Sequence, residues 1–253
     1  MKLLSQARDL KRRKARERLG LFVAEGVRTV EELLRSTFTV RGALVTAELS
    51  RTPRGQALES QLRRRNVPME ELSEADFRSA AETDSPQGIL AIAEAAERRL
   101  SDVSTVEPLR ILVLDAIQDP GNVGTIVRTA AALGATATIS LPGTVDLWNA
   151  KVVRSGMGAH FHHLCLTGTW DELDTFLRDH AVPVWAADAT GEPIEGLGST
   201  PSRLALVVGN EGSGLSSEAR ARADRFVALP ISAAVESLNV AVATGILLYE
   251  FRR

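Results

Sequence analysis

Val207-Val208-Gly209-Asn210-Glu211-Gly212-Ser213-Gly214 reads as a strand that runs straight into a glycine-rich bend. The β-branched pair favours a pleated strand, and the glycines that follow let a ligand approach bare backbone. The spacing is G-x-x-G-x-G, which is neither the G-x-G-x-x-G of dinucleotide-binding turns nor a Walker loop ending in G-K-[ST]. A nucleotide-phosphate cradle is therefore poorly supported. Taken alone, the segment is also readable as a tight strand-to-helix turn.

Two more segments share this character. Upstream, Ile111-Leu112-Val113-Leu114 is a continuous apolar run of the kind found in parallel strands covered on both faces. It passes into Asp115-Ala116-Ile117-Gln118-Asp119-Pro120-Gly121-Asn122-Val123-Gly124 and a helix that carries Arg128. Asn122 is placed to cap that helix, and the offset to Arg128 is nearly two turns, which puts the guanidinium roughly on the loop-facing side. Downstream, Leu229-Pro230-Ile231 and Glu236-Ser237-Leu238-Asn239-Val240 carry a strand end into a last helix expected from Ser237 onward. All three segments fall at C-terminal strand ends, where open α/β sheets bind ligands.

The surrounding periodicity alternates strands and helices in two blocks. The second has strands expected at 111–114, 136–140, 163–166, 182–187, 204–208 and 226–228, with helices at 123–133, 149–157, 170–180 and 217–223. The first has helices at 27–36, 53–65 and 74–80, the last capped by Ser73, and strands at 42–46, from Val67, and at 88–93. The fold class is α/β: a small α/β domain over 21–95, a polar linker over 96–108 and a larger α/β domain over 109–253.

Charge is unevenly placed. The net charge is −2, but residues 1–20 carry eight Lys/Arg against two acids, while the remainder sums to −8. This reads as a basic N-terminal arm, with Lys11, Arg12, Arg13, Lys14 and Arg16 as candidate contacts to a polyanion, RNA before membrane because no apolar face accompanies the charges. A solvated, frayed terminus is the alternative. Asp9 and Glu17 interrupt what would otherwise resemble a transit peptide. One cysteine, no apolar signal segment and no run long enough to span a bilayer point to the cytoplasm.

The ordered trio of segments resembles the three motifs of the SpoU-type RNA 2′-O-ribose methyltransferases of the SPOUT superfamily. Phe22-Val23-Ala24-Glu25-Gly26 and Thr83-Asp84-Ser85-Pro86-Gln87-Gly88-Ile89-Leu90-Ala91 are similar to the L30e-like substrate-binding domain that often precedes that catalytic domain. The resemblance implies a C-terminal trefoil knot holding S-adenosyl-L-methionine through backbone around Gly209, Leu229, Ile231 and Leu238. It implies a homodimer with active sites sharing residues across the interface, ribosomal RNA before transfer RNA as substrate, in a housekeeping or an antibiotic-resistance role, and Arg128 as the leading catalytic residue, assisted by Asn122, Glu211, Ser237 and Asn239. A guanidinium stays protonated and has no acceptor site, so Arg128 is read as an electrostatic clamp on the hydroxyl or adjacent phosphate, with Glu211 or an RNA phosphate taking the proton.

No metal is expected. On a strand, His160 and His162 would share a face and His163 would point away, without a zinc-like partner spacing. Cys165 reads as a core thiol, the tryptophans as core or interface, and Arg63-Arg64-Arg65 as helix-end charges or phosphate contacts. Two rivals are a non-catalytic RNA-binding protein with the same fold, against which the intact Asn122, Arg128, Glu211 and Asn239 argue, and a doubly wound oxidoreductase, against which the missing dinucleotide fingerprint argues.

Overall fold

A computed structural model describes residues 3–232 and 234–252. The chain divides into two compact units, one made of the residues up to Ala96 together with Trp148–His162, the other of Glu97–Leu147 and the residues from His163 on.

The first unit contains α1 (Leu3–Asp9), α2 (Arg13–Leu19), β1 (Leu21–Glu25), α3 (Val27–Arg35), β2 (Val40–Val45), α4 (Pro53–Arg64), β3 (Met69–Glu71), α5 (Glu74–Ala80) and β4 (Ile89–Glu94). Its sheet has the order β1-β4-β2-β3, with β4 antiparallel to both neighbours and β3 parallel to β2. Local chemistry sets the helix starts: Thr52 accepts from Gly55 N ahead of Pro53, and Ser73 accepts from Asp76 N. Alternate strand residues feed two cores. Phe22, Ala24 and Ala91 pack with Leu33 of α3 and Leu58 of α4, while Val23, Leu44 and Ile92 pack with Ala7, Leu10 and Phe77 on the opposite face.

Ala7 and Leu10 are fully buried, so residues 3–19 are two helices of this unit rather than an arm. Arg16 is only 7% exposed and donates to the carbonyls of Leu10 and Lys11 at 2.8 and 2.9 Å, which closes the turn between α1 and α2. The dense Lys/Arg composition reflects the outer faces of these helices; the sparse apolar positions Leu3, Ala7 and Leu10 carry the packing.

The helix expected near 149–157 is α7 (Ala150–Ser155), and it packs on β1 of the first unit. β1 is an edge strand yet buried along its whole length. An edge covered by a helix is protected from pairing with another chain. Trp148 stacks on Phe22 with centroids 4.5 Å apart, and Phe38 and Phe161 complete the aromatic cluster. His160 sits in a 3₁₀ turn, Ala159–Phe161, not on a strand; it is buried beside Trp148, while His162 is exposed near Glu32. Among the described residues no three His, Cys, Asp or Glu side chains gather as a metal-binding group.

The second unit contains β5 (Leu109–Asp115), α6 (Pro120–Ala132), β6 (Ala137–Ser140), β7 (Cys165–Thr167), α8 (Trp170–Asp179), β8 (Val184–Pro193), β9 (Arg203–Gly209), α9 (Ser217–Arg222), β10 (Arg225–Ala228) and α10 (Val240–Phe251). Its six strands are all parallel, in the order β10-β8-β9-β5-β6-β7. The chain runs outward from β5 through β6 to β7 and then fills the other side, so β5 and β9 flank the switch point at which loops diverge and leave a crevice. Their register pairs Asp115 with Gly209, bringing two of the polar segments side by side. Arg110, 8% exposed, donates to the Phe251 and Ser202 carbonyls and so ties the end of α10 to the sheet.

Two groups, the buried Cys165 and the half-buried His163, have acidities shifted by their surroundings. Burial pushes the Cys165 thiol up to about 12, which makes it an inert core residue. Burial lowers His163 from 6.5 to about 4; its Nε2 lies 2.8 Å from Thr138 Oγ1. The native state thus holds this ring neutral, and as pH falls the unfolded chain takes up the proton first. Its contribution to stability is full above about pH 6.5 and is lost by up to about 3 kcal/mol as pH falls through the folded value. Urea titrations between pH 7 and 4 are expected to show a shallower decline for His163→Gln than for the wild type; parallel declines would contradict this.

Candidate active site

Each polar segment is shaped by its own side chains. After β5, Ala116 takes a left-handed φ of 58°, and Asp119, not Asn122, caps α6 by accepting from Asn122 N at 2.8 Å. Pro120 occupies the first turn, so α6 begins before Val123 and the Asn122 side chain is free of capping duty. That amide reaches sideways instead. Its Nδ2 donates to Glu211 Oε1 at 3.0 Å, and its Oδ1 accepts from Asn239 Nδ2 at 3.0 Å. Glu211 also accepts from the backbone N–H groups of Gln118 and Asp119, each at 3.4 Å. Asn239 in turn caps α10 through Ala241 N and Val242 N, which is why that helix begins at Val240 and not at Ser237.

A hydrogen-bonded chain Glu211–Asn122–Asn239 therefore joins all three segments, though the residues are far apart in sequence. Asn210, which the motif reading does not single out, holds the glycine-rich bend. Its Oδ1 accepts from Gly212 N at 2.9 Å and Ser213 N at 3.0 Å, and its Nδ2 donates to Ala116 O at 2.8 Å. The signal was present: an asparagine opening a Gly/Ser turn is an Asx-turn residue. Gly209 and Gly214 approach so closely that a Cβ on Gly209 would lie 2.5 Å from Gly214 carbonyl carbon. Asp115, 3% exposed, fixes the far side by accepting from Ser216 N at 2.7 Å.

These loops enclose a cleft of about 610 Å³. Gly209, Leu229, Ile231 and Leu238 line it, as do Glu211, Ser237 and Asn239. Asn122 and Arg128 are not in the lining; Asn122 is tied to the lining residues Glu211 and Asn239 by its two hydrogen bonds. Arg128 is exposed on α6 and has no hydrogen bond or ion pair among the described residues. The cationic residues near the N-terminus are not one free strip. Arg12 pairs with Asp9, Arg13 with Glu17 at 2.7 Å, and Lys11 donates to Ala81 O at 2.9 Å. Arg16 is buried, and Lys14 is exposed without a partner among the described residues.

All three segments fall within the span of a single family match. The model of the SpoU rRNA Methylase family matches residues 109–249. The chain belongs to this family. The MRM3-like substrate binding domain matches residues 3–91, a span that takes in α1 and α2. Over 246 residues, 97% of this chain and 94% of the relative, this SpoU family member is 35% identical to the 23S rRNA (guanosine(2553)-2′-O)-methyltransferase RlmP of Bacillus subtilis. Among solved structures, the AdoMet-bound rRNA methyltransferase from Sinorhizobium meliloti has a TM-score of 0.85 at 28% identity, covering 99% of this chain and 94% of that one. The SpoU methyltransferase AviRb from Streptomyces viridochromogenes, in complex with AdoMet, has a TM-score of 0.88 at 25% identity, covering 100% and 97%.

The cleft of this SPOUT-type α/β unit fits S-adenosylmethionine by its chemistry. Its volume is that of a small-molecule site, about 300–1,000 Å³. Leu215, Val227 and Leu229 offer an apolar wall for a purine, the bend from Gly209 to Gly214 presents backbone polar groups, and the charged lining is acidic, as suits a sulfonium.

Proposed function

We propose that this chain is an S-adenosylmethionine-dependent methyltransferase that modifies a ribose 2′-hydroxyl in ribosomal RNA. The observation that carries the reading is the Glu211–Asn122–Asn239 chain at a cleft lined by Gly209, Leu229, Ile231, Ser237 and Leu238, in a member of the SpoU family. When bound, S-adenosylmethionine supplies an electrophilic methyl group on sulfur. The protein must bring a ribose oxygen in line with it and stabilise negative charge on that oxygen. Arg128 is the clamp: its unpaired guanidinium is available to the hydroxyl or neighbouring phosphate. Glu211 accepts from three N–H donors, which positions it and still leaves one of its roughly four lone-pair sites open, so the proton goes to Glu211 or to an RNA phosphate. Asn122 and Asn239 hold the loops in register; Ser237 is exposed in the cleft lining and is available to orient the substrate.

The test is transfer of tritiated methyl groups from S-adenosylmethionine to ribosomal RNA, followed by alkaline hydrolysis. A ribose mark removes the 2′-hydroxyl needed for strand cleavage, so the expected label resides in an alkali-resistant dinucleotide. Label released as mononucleotide would mean base methylation and contradict the reading.

A homodimer completes the proposal. α6 and α10 leave a groove lined by Thr125, Thr129, Val242, Ile246 and Tyr249, in which Val242, Ile246 and Tyr249 are 52%, 40% and 49% exposed. Exposed apolar groups grouped this way mark an interface. Arg128 lies between Thr125 and Thr129 on the same helix, so a second copy seated in the groove comes up beside the clamp. Sedimentation is expected to show a dimer for the wild type and a monomer for Val242→Glu/Tyr249→Glu; a monomeric wild type would contradict this.

RNA binding is assigned to the first unit, on its exposed and unburied cations. Arg13→Glu/Lys14→Glu is expected to weaken RNA binding and to lower the slope of log affinity against log salt by roughly one to two, since each lost phosphate contact removes about 0.7–0.9. S-adenosylmethionine affinity should not change. An unaltered salt slope would remove these residues from the RNA-binding surface.

A further inference from the structure

Among the described residues, the charged side chains lining the cleft are Asp188, Glu211 and Glu236, with no Lys, Arg or His. Two of the carboxylates are engaged. Asp188 accepts from Thr190 N at 2.9 Å and Thr190 Oγ1 at 2.6 Å and pairs with Arg220 at 2.5 Å. Burial alone would raise its pKa, but these hydrogen bonds and the cation outweigh burial and hold the carboxyl below its ordinary value. Glu211 is held by Gln118, Asp119 and Asn122. Glu236 is exposed to the cleft and makes no hydrogen bond or ion pair among the described residues. Around them stand Leu215, Val227, Leu229, Ile231 and Leu247. A low-dielectric wall of this kind strengthens the field of the carboxylates inside the cleft.

Methyl transfer changes the charge of the cofactor. The C–S bond breaks with its electron pair remaining on sulfur, a C–O bond forms to the ribose oxygen, and the hydroxyl proton leaves, through Glu211 or an RNA phosphate, for water. The sulfonium becomes a neutral thioether, so the cofactor loses one positive charge while the cleft keeps its own.

We propose that the acidic lining, with Glu236 as its unpaired member, makes the cleft select the sulfonium cofactor over its thioether product, so that transfer itself loosens the spent cofactor. This rests on the reading of the cleft as the S-adenosylmethionine site.

Calorimetric titration of the full chain with S-adenosylmethionine, S-adenosylhomocysteine and sinefungin separates charge from shape, because sinefungin carries an amine close to where the sulfonium stands. The two cationic ligands are expected to bind about five-fold tighter than the thioether at low salt, and the ratio should shrink as salt is raised. Glu236→Gln should bring the ratio toward one by weakening the cationic ligands alone, and Glu236→Asp should retain the preference. Equal affinities for all three ligands, or a Glu236→Gln variant that weakens all three alike, overturns the proposal and leaves the methyltransferase reading standing. Failure of all three to bind overturns both.

Discussion

Arg128→Ala is expected to lower kcat for methyl transfer by about 10²–10³-fold and to leave S-adenosylmethionine affinity within about two-fold. The size follows from the chemistry: a cation brought against the oxygen that gains negative charge acts in the transition state and hardly in the ground state. The specificity follows from the structure. Arg128 is exposed and unpaired, while Val123, Ile126, Val127 and Ala130 anchor α6, so truncation leaves the helix in place. Arg128→Lys keeps the charge but loses the planar fork, and should recover only a part of the rate. Near-normal turnover by the lysine variant would contradict the clamp, and near-normal turnover by the alanine variant would remove Arg128 from the site.

Gly209→Val is expected to abolish measurable cofactor binding and to cost stability, by about 1–3 kcal/mol or more. A Cβ at this position meets Gly214 C and O at 2.5 Å and Leu215 N at 2.7 Å. These are backbone atoms of a closed bend, in which Asn210 N donates to Gly214 O at 2.9 Å and Gly214 N donates to Asn210 O at 3.0 Å. They can move only by breaking that pair and the Asn210 contacts that tie the bend to Ala116. Gly212→Ala is the control: the nearest group to its added Cβ is Asn210 Oδ1 at an ordinary 3.6 Å. Calorimetry and thermal unfolding of the two variants should therefore diverge. Equal behaviour would mean that the Gly209–Gly214 approach does not shape the cleft.

Much of the fold was legible because it is written in local terms. The uninterrupted run that became β5, the helix start at Pro53, the Ser73 cap, and the placement of all three polar segments at strand ends follow from periodicity and side-chain chemistry alone. The errors came where partners are distant. α1 and α2 present few apolar positions among many cations, and only the tertiary pairing of Ala7 and Leu10 with Phe77 and Leu44 shows that they are packed helices. β1 escaped for a related reason, since an edge strand buried by α7 does not alternate. Trp148 and Phe161 reveal nothing locally of their partners Phe22 and Phe38. In the site, Asn122 and Asn239 stand out in the sequence as separate polar residues, but their hydrogen bond to one another depends on the tertiary fold that sets β5 beside β9. The capping assignment failed because Asp119-Pro120 is a stronger helix start than Asn122.

The central claim is most directly tested by mapping 2′-O-methyl groups across the ribosomal RNA of a strain lacking this chain, beside its parent and strains complemented with the wild type or Arg128→Ala. Loss of a ribose methyl mark in the deletion strain, restored by the wild type and not by the variant, is the predicted result. An unchanged ribose methylation map in the deletion strain would contradict it.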